Sequence, residues 1–235
     1  FLLHGPPGTV KTSFIKALAS HTKRHVVSVD VSRIKTNDEL KSIMCEDVFT
    51  ISDAHGLLTM QLKYENVIYV MEDIDATGTI VHKRSQKIDD IDTDDSWSSN
   101  EPVSDETSTK KNVAFPLVKV DDALNLSGIL NVIDGVIDSP GRILIMTTNH
   151  PEVLDEALIR PGRVNCHIHF DYMKYEESIS MLEHYFGKVS TNEKARLNEL
   201  YKNTMQQVSP AQMEQYCVEY KSVSQIVERL QVETC

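Results

Sequence analysis

Phe1-Leu2-Leu3-His4-Gly5-Pro6-Pro7-Gly8-Thr9-Val10-Lys11-Thr12-Ser13-Phe14 opens the chain and decides how the rest is read. A short apolar strand runs into a Gly/Pro turn, and Lys11-Thr12 starts a helix carrying Phe14, Ile15, Ala17 and Leu18. This is the phosphate-loop pattern Gly-x-x-x-x-Gly-Lys-Thr with one departure, Val10 in place of the second glycine. In such a loop the backbone N–H groups around the turn and at the helix start face phosphate oxygens, where the helix dipole favours negative charge. Gly5, Pro6, Pro7, Gly8, Thr9, Val10, Lys11, Thr12 and Ser13 are therefore the candidate nucleotide-binding residues. Lys11 supplies a point charge and Thr12 a hydroxyl for Mg²⁺. The plainer alternative is a Gly-Pro turn ahead of an amphipathic helix.

The remaining composition narrows the class. A chain of 235 residues has room for a large domain and a small one. It begins inside what reads as a strand, which suggests a piece of a longer protein. A formal charge of −11 argues against nucleic acid as a partner, since a phosphate-tracking surface is basic. Cys45, Cys166, Cys217 and Cys235 lie far apart, which suggests neither a zinc site nor a disulfide framework and fits a reducing compartment. No apolar run approaches the roughly 18 residues of a membrane span. Any targeting or anchoring segment is expected upstream.

Along the chain, His25–Val31 reads as a second strand. Thr36-Asn37-Asp38-Glu39 has capping-box spacing and predicts a helix through Met44. Residues 46–65 fit either a hairpin or a helical return. Asn66–Met71 reads as a continuous apolar run, as in a strand covered on both faces, and it ends in Glu72-Asp73-Ile74-Asp75. Acidic groups at the carboxyl end of a parallel strand sit where such sheets bind ligands. Residues 76–120 break the pattern. From Ile88 to Thr109 there are eight acidic residues and no basic ones, so the stretch is expected to be a disordered acidic insert. Replacing residues 85–115 by a short Gly/Ser linker is accordingly expected to leave nucleotide affinity unchanged in an ATP titration; a large loss of affinity or of folding would make the insert structural.

Order is expected again from Asp121. Leu126, Ile129, Leu130 and Ile133 have helical spacing, and Ile143–Met146 is a fourth strand leading into Thr147-Thr148-Asn149-His150-Pro151. A short helix, Leu154 to Ile159, precedes Arg160-Pro161-Gly162-Arg163, and Cys166, Ile168 and Phe170 alternate as a fifth strand. His167 and His169 share a strand face without a third ligand in view, and read as surface residues. From Asp171 the pattern is helical: Glu176–Phe186, Glu193–Met205, Ala211–Tyr220 and Val223–Leu230. Ser209-Pro210-Ala211-Gln212 combines a Ser cap, Pro at the first turn and a capping-box Gln. Strands precede helices, so an α/β domain over 1–170 and a small helical lid over 171–235 are expected.

Taken together these pieces resemble an AAA+ ATPase, across nearly the whole chain. Gly5–Thr12 is similar to Walker A, and Val67–Met71 with Glu72-Asp73 to Walker B. Asn149 is similar to the sensor-one residue, and Arg160 with Arg163 to the paired arginine fingers. The resemblance implies a P-loop NTPase core with a five-stranded parallel sheet, ATP and Mg²⁺ as ligands, Thr12 and Glu72 at the metal, and Asp73 polarising the attacking water. It also implies that Asn149 orients that water, and that Arg160 and Arg163 act in a neighbouring subunit of a homo-oligomeric ring. Asp75 is either a secondary acidic contact or a cap of the following turn. Leu126-Ser127-Gly128-Ile129-Leu130-Asn131, Asp134-Gly135, Met146–Pro151 and Ser209–Gln212 narrow the resemblance further. They are similar to the mitochondrial inner-membrane AAA family that translocates the Rieske iron–sulfur protein during cytochrome bc complex assembly, whose acidic motif is likewise Glu-Asp. That implies a folded iron–sulfur protein as client, a matrix-facing location, and membrane attachment through a missing N-terminal segment.

The stretch Val31–Asp38, where threading AAA proteins have an aromatic-apolar-Gly pore loop, has no aromatic residue and no glycine. Threading of unfolded polypeptide is therefore disfavoured. Two functions compete. One is an active ATPase that remodels or translocates a protein. The other is a non-hydrolysing subunit, for which Val10 speaks. A clamp loader or helicase fits poorly with the acidic charge.

Overall fold

A computed structural model of the chain describes residues 1–53, 56–82, 122–135, 139–204 and 207–233. β1 (Leu2–His4) leads through the phosphate loop into α1 (Lys11–Thr22), and β2 (His25–Ser28) follows. Thr36 caps α2 (Asn37–Cys45) by accepting from the Glu39 N–H, while the Glu39 carboxylate reaches back to the N–H of Lys35, 3.0 Å away. The box closes one residue earlier than its usual geometry. Residues 46–65, open between two readings, contain an antiparallel hairpin, β3 (Val48–Asp53) on β4 (Gly56–Gln61).

β5 is Val67–Met71, and every one of its residues is buried. Its side chains alternate between the two faces of the sheet. Val67, Tyr69 and Met71 join a cluster with Leu2, Leu40, Met44 and Ile129, while Ile68 and Val70 join Leu3, Ile15, Ala19 and Ile145. Two-sided burial is why this strand is apolar without interruption. α3 (Leu126–Asp134) is capped by the Asn125 side chain, which accepts from the Gly128 N–H. β6 (Ile143–Thr148), the short α4 (Glu156–Ile159) and β7 (His167–His169) complete this part.

The five strands form one parallel sheet in the order β2-β5-β6-β1-β7. β1 is therefore internal, and the chain crosses away from it to one edge with β2 and to the other with β7. Loops after β1, β5 and β6 all leave from the same, carboxyl edge, the crevice where open parallel sheets bind ligands.

The start of the expected insert needs correction. Residues 76–82 belong to the fold: Ile74–Ile80 forms a 3-10 turn, Val81 is fully buried in the main cluster, and His82 bridges to Leu154. The apolar Ile80-Val81 pair supplies what the acidic stretch lacks. Residues 83–121, which hold the acidic run and Trp97, lie outside the described residues. Asp122 is already tied in, its carbonyl and carboxylate accepting from the N–H groups of Asn37 and Asp38.

The last helices are α5 (Tyr175–Phe186), α6 (Thr191–Thr204), α7 (Pro210–Glu219) and α8 (Val223–Glu233). They pack around a cluster of their own, including Leu182, Leu197, Met213, Ile226 and Leu230. α7 starts as its sequence suggests, with Ser209 accepting from the Gln212 N–H and Pro210 in the first turn. No helix among the described residues is long and apolar enough to cross a membrane.

Candidate functional site

The phosphate loop is held by contacts that explain its residue types. Gly5 has φ +143°, and a Cβ there would lie 1.8 Å from the carbonyl oxygen of Phe170, so the close approach of β1 and β7 excludes any other residue. Thr9 is buried and donates to the Pro6 carbonyl at 2.7 Å, which fixes the turn. Val10 is the residue before α1, with φ 59° and ψ 19°, a left-handed conformation that is an outlier for a β-branched side chain. Its carbonyl nevertheless accepts the first helical bond, from the Phe14 N–H at 2.9 Å. The first N–H groups of α1 consequently have no partner within the helix and face the loop.

Lys11 folds back over this loop. Its ammonium donates to the carbonyls of Gly5 (2.8 Å) and Pro6 (2.9 Å) and to Asn149 Oδ1 (2.7 Å), which uses all three of its protons. Burial pushes the Lys11 pKa down, and the carboxylates of Asp73 and Asp75 partly restore it. Thr12 donates through Oγ1 to Glu72 Oε1 at 2.6 Å. A residue of Walker A thereby touches the acidic pair after β5, and another touches the polar residue after β6.

Asp73 is also left-handed, with φ 46° and ψ 51°, a region Asp tolerates better than most residues. Its N–H donates to the buried Thr147 hydroxyl at 2.9 Å, and the Thr148 hydroxyl accepts from the His150 N–H at 2.9 Å. These two threonines set the acidic turn and the Asn149 loop relative to each other. Asp75 lies inside the 3-10 turn instead of capping it; one carboxylate oxygen is buried without a partner, and its carbonyl meets His82 Nε2 at 2.9 Å.

A cavity of about 340 Å³ opens over the loop, walled by Pro7 through Ser13, by Asp73 and Asn149, and by Ala211 and Glu214 of α7. A second, of about 290 Å³, adjoins it along Asp30, Ser32, Glu72, Asp73 and Thr77. α7 is docked directly on the loop, the Ala211 N–H donating to the Gly8 carbonyl at 3.2 Å. Ala211, Glu214 and Thr147 are site residues that sequence reasoning did not single out. The cap at Ser209 was visible, but where α7 packs is a tertiary fact with no local signal.

Arg160 and Arg163 stand outside both cavities and differ from each other. Arg160 is exposed, and its carbonyl accepts from the N–H groups of Arg163 and Val164 in a tight turn. The Arg163 side chain is 13% exposed and is engaged within its own chain. Its Nη1 donates to the Ala157 carbonyl at 2.6 Å, and its Nε lies 3.4 Å from Asp134 Oδ2, close enough for charge attraction but not aligned as a hydrogen bond.

The profile of the ATPase family associated with various cellular activities (AAA) matches residues 1–97 and 118–172, more than half the chain. The chain belongs to the AAA ATPase family. A protein of Acanthamoeba polyphaga mimivirus named for the AAA family of ATPases is 36% identical over 178 residues, which is 74% of this chain and 79% of that protein. An AAA-ATPase of Arabidopsis thaliana is 31% identical over 189 residues, 80% of this chain and 32% of its own length. The Arabidopsis protein Hyper-sensitivity-related 4 is 29% identical over 232 residues, 98% of this chain and 34% of its own. This chain thus spans about a third of each of these two Arabidopsis proteins.

The AAA core also carries a group of imidazoles beside the loop. His4, the last residue of β1, stacks on His169 with ring centroids 5.0 Å apart, and both His167 and His169 are exposed, as expected of surface residues. Among the described residues no group of three or more His, Cys, Asp or Glu side chains is arranged to hold a metal ion. Burial, then His169, His167 and Lys11, hold the His4 pKa below its ordinary 6.5. The folded state therefore binds fewer protons than the unfolded one, so this contribution to stability is full above pH 6.5 and is lost as the pH falls through the folded value. Thermal midpoints measured between pH 7.5 and 5.5 are expected to fall less steeply for His4→Gln than for the wild type. Parallel curves would show that His4 carries no such linkage.

Proposed function

We propose that this chain is an ATP-binding and ATP-hydrolysing AAA subunit that couples hydrolysis to remodelling or translocation of a protein client. The observation that carries this reading is the double junction at the loop, Thr12 to Glu72 at 2.6 Å and Lys11 to Asn149 at 2.7 Å. It gathers a phosphate cradle, an acidic pair and a polar orienting group at one sheet edge. Phosphoryl transfer to water needs mostly positioning and charge stabilisation, and these groups supply both.

The residues present fit Mg²⁺. One hydroxyl and one carboxylate are a sparse donor set, and Mg²⁺ is commonly bound by one or two carboxylates with substrate phosphates and water. Thr12 and Glu72 would hold it, and it would neutralise charge on the phosphates. In this reading the Lys11 ammonium exchanges a carbonyl or amide acceptor for a phosphate oxygen. Asp73, on the pocket wall, accepts a proton from the attacking water, and Asn149 orients that water. Arg160 and Arg163 act across a subunit boundary in a homo-oligomeric ring.

The client is proposed to be a folded iron–sulfur protein, handled in respiratory-complex assembly at the matrix side of the mitochondrial inner membrane. Motif spellings support this, and so does the stretch that would form a pore loop. Val31 and Ile34 are buried in the core, so the apolar residues of that stretch are not presented outward. Nucleic acid is not a proposed partner. A second reading, a subunit that does not hydrolyse ATP, is favoured by the left-handed Val10 alone.

Phosphate release under saturating Mg-ATP tests the activity. Wild type is expected to turn over, while Asp73→Asn binds nucleotide and releases phosphate at a rate lower by at least about a hundredfold, the lower end of general-base contributions. A wild type that binds Mg-ATP without turnover would establish the second reading.

A further inference from the structure

We infer that Glu214 of α7 is the group that recognises the nucleotide sugar, and that it makes this site selective for ribonucleotides over their 2′-deoxy counterparts. The inference rests on the reading of the loop cavity as the nucleotide site.

Two adjoining spaces share part of their wall. The cavity over the phosphate loop includes Ala211 and Glu214. An open shelf of about 500 Å³ along α7 is walled by the same two residues with Gln215, Val218 and Glu219. The shelf is the more apolar end, and Val218 on it is 76% exposed. In any nucleotide the sugar lies between phosphates and base. With phosphates on the loop and the flat, largely apolar base along the shelf, the sugar falls at the shared wall. Ala211 is pinned there by its N–H bond to the Gly8 carbonyl at 3.2 Å, and Glu214 stands one helical turn further on.

The chemistry of Glu214 selects the ligand group. An ionised carboxylate only accepts hydrogen bonds. It repels phosphate and suits vicinal hydroxyls, which donate. Its one hydrogen bond among the described residues is a long one, from the Tyr185 hydroxyl to Oε1 at 3.4 Å. That contact steadies the carboxylate and leaves acceptor capacity unused. Glu214 is solvent-exposed, so its carboxylate is accessible from the cavity.

The test is a titration of the full chain with Mg-ATP, Mg-2′-deoxy-ATP and Mg-tripolyphosphate, for wild type, Glu214→Gln and Glu214→Ala. The same set in a Val10→Gly background keeps weak binding measurable. Wild type is expected to prefer ATP over 2′-deoxy-ATP by about tenfold, the order a charge-assisted hydrogen bond contributes. Both variants are expected to bind the two nucleotides within about twofold, with tripolyphosphate bound as well as before or better, because a repelling charge has gone. A sugar preference that persists in Glu214→Ala, or is absent from wild type while ATP binds, overturns the assignment and leaves the nucleotide site standing. If no ligand binds in either background, the nucleotide reading and this one fall together.

Discussion

Val10→Gly is expected to tighten Mg-ATP binding by about ten- to hundredfold, the equivalent of roughly 1.4–2.7 kcal/mol. Val10 sits at φ 59°, ψ 19°, lines the phosphate cavity and is 42% exposed. A β-branched residue in that region costs about 1–3 kcal/mol, and glycine removes both the strain and two methyl groups from the cavity wall. The cost is divided between two measurements. Whatever the loop pays on folding appears as a higher thermal midpoint in the variant, offset by glycine's greater chain entropy, about 0.5–1 kcal/mol. Whatever it pays on docking phosphates appears in the dissociation constant. Calorimetric titration of both forms with ATP and Mg²⁺ decides the matter, and equal affinities would mean that Val10 does not impair the site.

The second large effect concerns the arginines. Asp73→Asn subunits and Arg160→Ala subunits are each expected to be inactive alone, and a mixture of the two is expected to recover part of the hydrolysis. One intact composite site then forms wherever an unmodified Asp73 faces an unmodified Arg160. Completing a site with an arginine is worth about 10³–10⁵ in rate, so the recovered signal stands far above either background. Arg163→Ala is expected to behave similarly in the mixture but to differ in stability. Arg160 is exposed, and replacing it should shift stability by no more than about 0.5 kcal/mol. Arg163 donates to the Ala157 carbonyl and faces Asp134, so its loss should cost about 1–3 kcal/mol. If neither arginine variant lowers hydrolysis, or the mixture recovers nothing, the two arginines do not act in trans.

Legibility in the sequence followed how local each determinant is. β5 was readable to within a residue because two-sided burial leaves five apolar side chains in a row. The α2 boundary was readable because its cap is a contact between neighbours, Thr36 with Glu39. Residues 46–65 were not, because a six-residue hairpin strand with Thr, Ser and Asp in it carries too short an alternation to separate from a helix face. The boundary at residue 76 was misplaced for a related reason. Ile80-Val81 is a brief apolar pair ahead of a long acidic run, and composition averaged over that run hides it.

Within the site, the motif residues Lys11, Thr12, Glu72, Asp73 and Asn149 converge on one sheet edge, as parallel topology requires of loops at the carboxyl ends of β1, β5 and β6. Glu214 was silent. Nothing near it in sequence distinguishes it from an ordinary helix-surface glutamate, and its place beside the loop depends on the packing of α7 against Gly8.

The two isolated bridges, His82 to Leu154 and Thr36 to Ala123, bear on how this protein can change. Each fastens one end of the stretch 83–121 to a separate part of the core, so the register of β5 and α3 does not depend on what is strung between them. Closing a loop costs only about 0.6 kcal/mol more for each doubling of its length. By chain entropy alone a change in the number of residues between the two bridges therefore costs little, and relatives are expected to differ in that number while keeping the bridges. For the experimenter the same two clasps are the contacts to leave intact when an affinity tag or a fluorophore is grafted between them.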